Sequence, residues 1–164
     1  MRKYNKNTNE LEAAVCNCCG KNMKIHIGEI LGLDKMHRMI ILGVGNIGSA
    51  VAKYPTFARE GFETIAMFDV DPEKIGTRVG NVPVYPMDEL ENFMGDNKVD
   101  VAVLAVPAKA AQSTMDRLAA CNVKAVWNFA PTDLRHPEQM IVVNVHLSDS
   151  LQILSYKMAH AEEA

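Results

Sequence analysis

Three glycines, Gly43, Gly45 and Gly48, follow the apolar run Met39–Leu42 in the order Gly-x-Gly-x-x-Gly. Because glycine has no Cβ, this order suits a sharp turn off a strand, close approach of an anionic pyrophosphate, and tight packing of the next helix. We assign the turn to Gly43, the approach to Gly45 and the helix packing to Gly48. The stretch is typical of the first strand, turn and helix of a dinucleotide-binding βαβ unit.

Asp69 ends the next apolar stretch about 20 positions further on, where a ribose-binding carboxylate is expected. The glycine motif alone also fits an ordinary strand-to-helix turn. The apolar run before it and the position of Asp69 together favour a mononucleotide site. The charge of Asp69 argues against NADPH, whose 2′-phosphate it repels, and makes CoA with its 3′-phosphate a poor fit.

Composition bounds the class of protein. A chain of 164 residues suits one domain, and 48% hydrophobic with 23% charged residues is typical of a globular protein. The net charge of −3 gives no general attraction to nucleic acid. The sequence begins with polar residues, and it has no apolar run near the roughly 20 residues of a membrane span. We therefore expect a cytoplasmic protein without membrane contact.

A short cysteine-containing segment is expected over residues 1–37. Cys16 and Cys19 have the C-x-x-C spacing of a zinc knuckle. Four ligands would be reached with Cys18 and His26, or with two half-sites that meet across a dimer. A second C-x-x-C is absent from the sequence, so reduced and unliganded thiols are the simpler interpretation.

Strands and helices alternate from residue 38, which predicts an α/β protein with a doubly wound, mostly parallel sheet over residues 38–147. Pro83 places its strand at a sheet edge or at the start of a strand. The predicted strands are 39–42, 63–69, 82–85, 99–106, 123–128 and 140–145, and the predicted helices are 46–54, 87–94, 108–121 and 148–160.

Ligands of such sheets bind at the carboxyl ends of the strands, so the loops there are the candidate site. The first loop, 43–48, is expected to hold pyrophosphate and the second, 69–74, the adenosine ribose. The loops at 106–108 and 128–131 are expected to face the nicotinamide half. Phe129 suits ring stacking or an ordinary core role, and Asn128 suits a carboxamide contact or a loop cap. The candidate cofactor-binding residues are Gly43, Val44, Gly45, Asn46, Ile47, Gly48, Asp69, Val70, Lys74, Val106, Pro107, Asn128, Phe129 and Ala130.

Five ordered motifs between about residues 31 and 158 resemble those of the redox-sensing transcriptional repressors of the Rex family. They are Gly43–Gly48, Phe68–Gly76, Val106–Ala108 with Ala111 and Gln112, Asn128–Pro131, and Leu151–Tyr156. The resemblance implies a homodimer that binds NADH and NAD⁺ competitively through a Rossmann domain and exchanges its C-terminal helix between subunits. It also implies that NADH favours a closed dimer that leaves DNA, whereas NAD⁺ or the free form permits operator binding.

Two departures from that family alter the expectation. Family members carry an N-terminal winged helix that reads DNA, and the residues before about Arg38 are too few and too rich in glycine for one and show no basic recognition helix. His146 stands where the family usually has Asp, at a position implicated in coupling cofactor state to the DNA reader. We therefore expect a Rex-like NAD(H) sensor that does not bind DNA by itself, and that has the cysteine-containing segment in place of the reader.

The C-terminal helix, expected within residues 148–164, has Leu151, Leu154 and Met158 on one face. Since no further strand follows, this face must cover its own sheet or reach another subunit. We expect a domain-swapped dimerisation helix. A chain that serves only as the dimerisation partner of a full-length homologue, or that binds another protein, is also compatible with it.

The alternative from another class is a small dehydrogenase-like or CoA-binding enzyme subunit, because the same fold serves both. A dehydrogenase needs a proton donor and a substrate pocket, usually in a second domain. The five histidines are scattered and suggest no catalytic pair. We therefore predict no catalytic residue and a regulatory protein rather than an enzyme.

Overall fold

The computed structural model describes residues 35–160 of the chain. These residues form a seven-stranded sheet with helices on both faces. The strands are β1 (His37–Leu42), β2 (Phe62–Asp69), β3 (Arg78–Val79), β4 (Val82–Pro86), β5 (Val101–Leu104), β6 (Ala125–Asn128) and β7 (Ile141–Asn144). The helices are α1 (Asn46–Ala52), α2 (Thr56–Arg59), α3 (Leu90–Asp96), α4 (Ala108–Ala120) and α5 (Leu147–Ala159), with a 3-10 turn at Met87–Glu89 before α3.

The strand order is β3-β4-β2-β1-β5-β6-β7, and every neighbouring pair is parallel except β3 with β4. The chain moves outward from β1 to β2 and β4, then crosses to β5 and continues outward in the other direction. The loops after β1 and β5 therefore diverge, which opens a crevice at the carboxyl edge. This topology confirms the predicted doubly wound, mostly parallel fold.

Successive residues of the central strands pack on opposite faces of the sheet, as expected for strands buried on both sides. In β1, Ile40 and Leu42 belong to the cluster that includes α3 and α4, whereas Met39 and Ile41 belong to the cluster on the α1 and α2 side. The first cluster also contains Phe68, Leu104, Leu90, Met115 and Leu118, all without exposed surface.

One local prediction is narrowed to one of its two alternatives, and another needs correction. The strand with Pro83 is not an edge strand, because the two residues of β3 pair with it antiparallel. Pro83 instead lies at the start of β4, the other position that was predicted. The predicted helix 46–54 ends at Ala52, and α2 begins after Pro55, since proline interrupts a helix. The other bounds lie within two residues of the prediction when the 3-10 turn is counted with α3.

The sheet face on the α1 and α2 side stays open over β6 and β7, because residues 129–140 join these strands without a helix. An apolar groove of about 380 Å³ lies there, and its lining includes Phe57, Trp127 and Val143. Every described side chain of α5 is exposed, including Leu151 at 67% and Leu154 at 53%. The structure thus leaves both an apolar groove and an apolar helix uncovered.

The proposed zinc ligands Cys16, Cys18, Cys19 and His26 lie outside the described residues. Within residues 35–160, no cluster of three or more His, Cys, Asp or Glu side chains has an arrangement suited to a metal ion. No helix of that part has both the length and the apolar character required to cross a membrane.

Candidate functional site

The register of the parallel strands brings four loops to one level. Leu42 of β1 lies opposite Phe68 of β2 and Leu104 of β5, and Leu104 lies opposite Asn128 of β6. The residues that follow these four positions therefore start their loops side by side at the carboxyl edge. This is the placement that the sequence predicts for a nucleotide site.

The three glycines of the first loop differ in what surrounds them. Gly43 has φ +97°, and a Cβ on it would lie 2.5 Å from the carbonyl oxygen of Ala105. A Cβ on Gly48 would overlap the carbonyl oxygen of Gly43. Gly45 has no non-neighbouring atom within 4 Å of where its Cβ would be. The fold therefore requires Gly43 and Gly48, whereas Gly45 borders open space.

Asp69 joins the first two loops. Its Oδ2 accepts a 2.6 Å hydrogen bond from the backbone N–H of Val44, and its Oδ1 accepts one of 2.9 Å from the N–H of Asp71. The N–H of Val44 is thus already bound to a carboxylate rather than free for an anion. Sequence reasoning assigned Asp69 to a ribose and missed this bond. The Asp-x-Asp sequence, which favours an Asx turn, indicates the bond to Asp71 only.

Lys74 lies beside both carboxylates of the second loop. Its Nζ is 3.1 Å from Asp71 Oδ2 and 3.7 Å from Asp69 Oδ2. The N–H of Glu73 and then Lys74 lower the pKa of Asp71, and the hydrogen bond to Asp71 is the main reason that the pKa of Lys74 is raised. Lys74 therefore stays charged at neutral pH and offsets part of the negative charge around Asp69.

A cleft of about 620 Å³ lies at this edge. The predicted residues that line it come from all four loops, and they are Gly43, Gly45, Ile47, Asp69, Val70, Lys74, Val106, Pro107 and Phe129. The other predicted residues, Val44, Asn46, Gly48, Asn128 and Ala130, do not appear in the lining formed by the described part of the chain.

Sequence reasoning missed one wall of the cleft. Ala110, Ser113, Thr114 and Arg117 of α4 line it, and so do Phe68, Asp71, Met87, Ala105 and Pro131. Arg117 is itself held by two bonds of 2.5 and 2.6 Å to the carboxylate of Glu91 and one of 2.8 Å to the carbonyl of Met87. This pairing lowers the pKa of Glu91 and raises that of Arg117, so both remain charged.

Asn128 and Phe129 are neighbours in sequence but have different surroundings. The side chain of Asn128 is fully buried; it accepts from the N–H of Ala130 and donates to Thr132 and Asn144. This geometry corresponds to the loop cap, one of its two predicted roles. Phe129 packs on Trp127, with ring centroids 4.6 Å apart, which corresponds to its predicted core role. It also lines the cleft, and its stacking on a nicotinamide ring stays a prediction.

Comparison with known proteins agrees with this geometry. Residues 34–132 match the family model described as the CoA binding domain. The redox-sensing transcriptional repressor Rex of Clostridium tetani is 45% identical over 143 residues, which are 87% of this chain and 68% of that protein. The chain belongs to the Rex family. Rex of Caldanaerobacter subterraneus is 42% identical over 84% of this chain and 61% of its own length.

Solved Rex-family structures share the fold. The repressor RSP is 41% identical with a TM-score of 0.81, covering 90% of this chain and 71% of that one. RSP bound to β-NADH gives a TM-score of 0.81 at 41% identity, covering 88% of this chain and 70% of that one. RSP bound to β-NAD⁺ and operator DNA gives a TM-score of 0.82 at 40% identity, covering 91% of this chain and 70% of that one.

Both curated Rex proteins named above and the RSP chains are longer than this chain. It spans about three fifths to seven tenths of their length. The curated relatives are named as transcriptional repressors and RSP as a Rex-family repressor, which confirms the prediction of a regulatory protein rather than an enzyme.

The unequal surroundings of the glycines lead to a matched pair of variants. We expect Gly48→Ala to lower the free energy of unfolding by about 1 to 3 kcal/mol, because its methyl group overlaps a backbone oxygen. Gly45→Ala should change it by no more than about 0.5 kcal/mol, because its methyl group enters open space. Urea unfolding measures both, and equal losses would contradict the packing described here.

Proposed function

We propose that this Rex-family chain binds NAD(H) in the cleft and reports the redox state of the cofactor without reacting with it. The main observation in favour of this proposal is that Asp69 and the open space at Gly45 border the same cleft. In this pose the pyrophosphate lies over Gly45 and the adenosine ribose hydroxyls donate to Asp69. RSP, a relative of known structure, is described in complex with NADH and with NAD⁺.

The nicotinamide half of the cofactor belongs at the loops that follow β5 and β6. Val106, Pro107 and Phe129 give that end of the cleft apolar surface. Reduced nicotinamide is neutral and the oxidised ring is positively charged, so apolar surroundings penalise the oxidised form more strongly. A sensor needs this difference, because a ligand shifts an equilibrium only by its differential affinity.

CoA is the second candidate, since the matching family model carries its name. The carboxylate of Asp69 disfavours it, because a phosphate on the ribose would bring a second negative charge to the same place. Lys74 offsets that charge only in part, since it already pairs with Asp71. NAD(H) therefore fits the charges of the site better.

A homodimer accounts for the two uncovered apolar surfaces. Helix α5 exposes Leu151, Leu154 and Met158, and the groove over β6 and β7 exposes Ile141 at 65% and Val143 at 54%. Apolar area of this kind stabilises association when two such surfaces meet. We place α5 of a second copy against this groove, as a helix exchanged between subunits.

The DNA side of the function remains a prediction. RSP is described in complex with operator DNA. The expectation that this chain does not bind DNA by itself rests on residues 1–37, of which the structure describes only 35–37, and on His146 at the position where the family usually has Asp. A cytoplasmic location and the boundaries of the expected segments at 38 and 148 also remain predictions.

Titration with the two cofactor forms tests the sensing proposal. Isothermal titration calorimetry should show NADH binding at least about tenfold more tightly than NAD⁺, a difference of about 1.4 kcal/mol. ADP-ribose, which lacks nicotinamide, serves as the control for the shared adenosine and pyrophosphate contacts. Equal affinities for NADH and NAD⁺ would leave redox sensing without a mechanism, and tighter binding of CoA would favour the second candidate.

Asp69→Asn separates the ribose contact from the support of the glycine turn. Removing the negative charge should lower the affinity for NADH by about tenfold. It should also reduce the ratio of NADH affinity to NADPH affinity, because the 2′-phosphate is no longer repelled. Loss of turn support alone would weaken both cofactors by the same factor. An unchanged NADH to NADPH ratio would therefore show that the ribose lies elsewhere.

Charge on the apolar face of α5 tests the dimer. We expect Leu154→Asp to convert a dimer to a monomer in analytical ultracentrifugation, since an ionised carboxylate cannot be buried there without a large cost. Gln152→Asp places the same charge on the opposite side of the helix and should leave the dimer intact. A wild-type chain that sediments as a monomer would overturn the proposal directly.

A further inference from the structure

The connection between β6 and β7 forms one wall of the cleft without any secondary structure of its own. Residues 129–140 contain no helix or strand, yet Phe129 and Pro131 both line the cleft. Such a segment depends on side-chain hydrogen bonds for its shape, because it lacks the regular backbone pairing of a helix or sheet. Two carboxamides supply these bonds, Asn128 at the start of the segment and Gln112 near its middle.

Asn128 fixes the first residues of the connection. Its Oδ1 accepts from the N–H of Ala130 at 2.9 Å, and its Nδ2 donates to the carbonyl of Thr132 at 3.2 Å and to Asn144 Oδ1 at 2.9 Å. This buried amide holds only the portion up to Thr132. Beyond Thr132, the next support from another element of the fold is at Arg135.

Gln112 supplies that support from α4. Its Oε1 accepts from the N–H of Arg135 at 3.0 Å, and its Nε2 donates to the carbonyl of the same residue at 3.0 Å. The amide therefore pairs with both backbone groups of one residue, as a neighbouring strand would. Nε2 also donates to Asp116 Oδ1 at 2.8 Å, one helical turn further on.

Gln112 lies between the two halves of the wall. Ala110, Ser113 and Thr114 beside it on α4 line the cleft, whereas Gln112 is absent from the lining formed by residues 35–160. Its side chain therefore acts on the loop and not on the ligand. Leu134, packed against the core beside Arg135, anchors the loop by apolar contact, and the paired amide sets the direction of its backbone.

We propose that Gln112 is a positioning residue for the nicotinamide end of the cleft, acting through its paired hydrogen bonds with Arg135. This role rests on the proposed NAD(H) function. The bonds hold the part of the connection beyond Thr132 against α4, so that Pro131, which lines the cleft just before that part, keeps the position at which the nicotinamide ring would contact it. The adenosine end, built around Asp69, does not depend on Gln112.

The variant that tests this role is Gln112→Met, which keeps the length of the side chain and its helix propensity but removes both bonds to Arg135. Asp116→Ala is the matched control, because it removes only the bond that Gln112 makes within α4. We expect Gln112→Met to lower the affinity for NADH by about three- to tenfold, while the affinity for ADP-ribose should change by less than about twofold. Asp116→Ala should leave both affinities within about twofold of wild type.

Trp127 provides a readout that needs no nucleotide. It is the single tryptophan of the chain, and its ring centroid lies 4.6 Å from that of Phe129. Both Gln112→Met and Asp116→Ala should leave the emission of Trp127 unchanged, because the N–H of Phe129 donates to the carbonyl of Leu104 and Asn128 holds the residue after it. A shifted emission in Gln112→Met would show that the variant disturbs β6 itself and would contradict a role confined to the connection. If the variant only destabilised the fold, its melting temperature would fall, and its affinities for NADH and ADP-ribose would fall by the same factor.

The outcomes separate this proposal from the function on which it rests. Failure of the wild-type chain to bind NADH would overturn the NAD(H) function, and with it the role of Gln112 at a nicotinamide site. If the wild-type chain binds NADH, an unchanged ratio of NADH to ADP-ribose affinity in Gln112→Met would overturn the positioning role alone.

Discussion

The hydrogen bond from the N–H of Val44 to the carboxylate of Asp69 is the contact on which the nucleotide edge depends. Val44 is only 7% exposed, so its N–H would lack a partner without Asp69, at a cost of about 1 to 3 kcal/mol. The same carboxylate accepts from the N–H of Asp71. One side chain therefore fixes the turns after β1 and β2 relative to each other, and the surface that would receive pyrophosphate and ribose is formed before any ligand arrives.

The same principle applies at the other end of the cleft. Asn128 and Gln112 bind backbone groups of a segment that has no helix of its own, as Asp69 does in the first two loops. Side chains bonded to backbone thus shape both ends of the site. A cleft preorganised in this way loses little conformational entropy on binding, so contacts that differ between two cofactor forms appear more fully as a difference in affinity.

The sequence predicted the fold well, because parallel strands buried on both faces must be apolar runs and the turns between them carry glycine and proline. It also predicted the four loops, since the spacing of Asp69 from the glycines has a physical cause. It did not indicate the wall built by Ser113, Thr114 and Arg117, because which face of α4 borders the cleft depends on tertiary packing. The two residues of β3 are too few to show a periodic pattern.

The cleft and the apolar groove meet in β6. Phe129 lines the cleft, Trp127 lines the groove, and their rings are in contact, because residues two apart at the end of a strand point to the same face. Phe57 extends this packing from Trp127 across the groove, with centroids 5.7 Å apart. A cofactor that moved Phe129 would therefore disturb side chains on which a second subunit would rest. The free energy available for such a change is limited to the difference in affinity between the two cofactor forms, so selectivity at Phe129 sets the upper bound on any signal that the groove transmits.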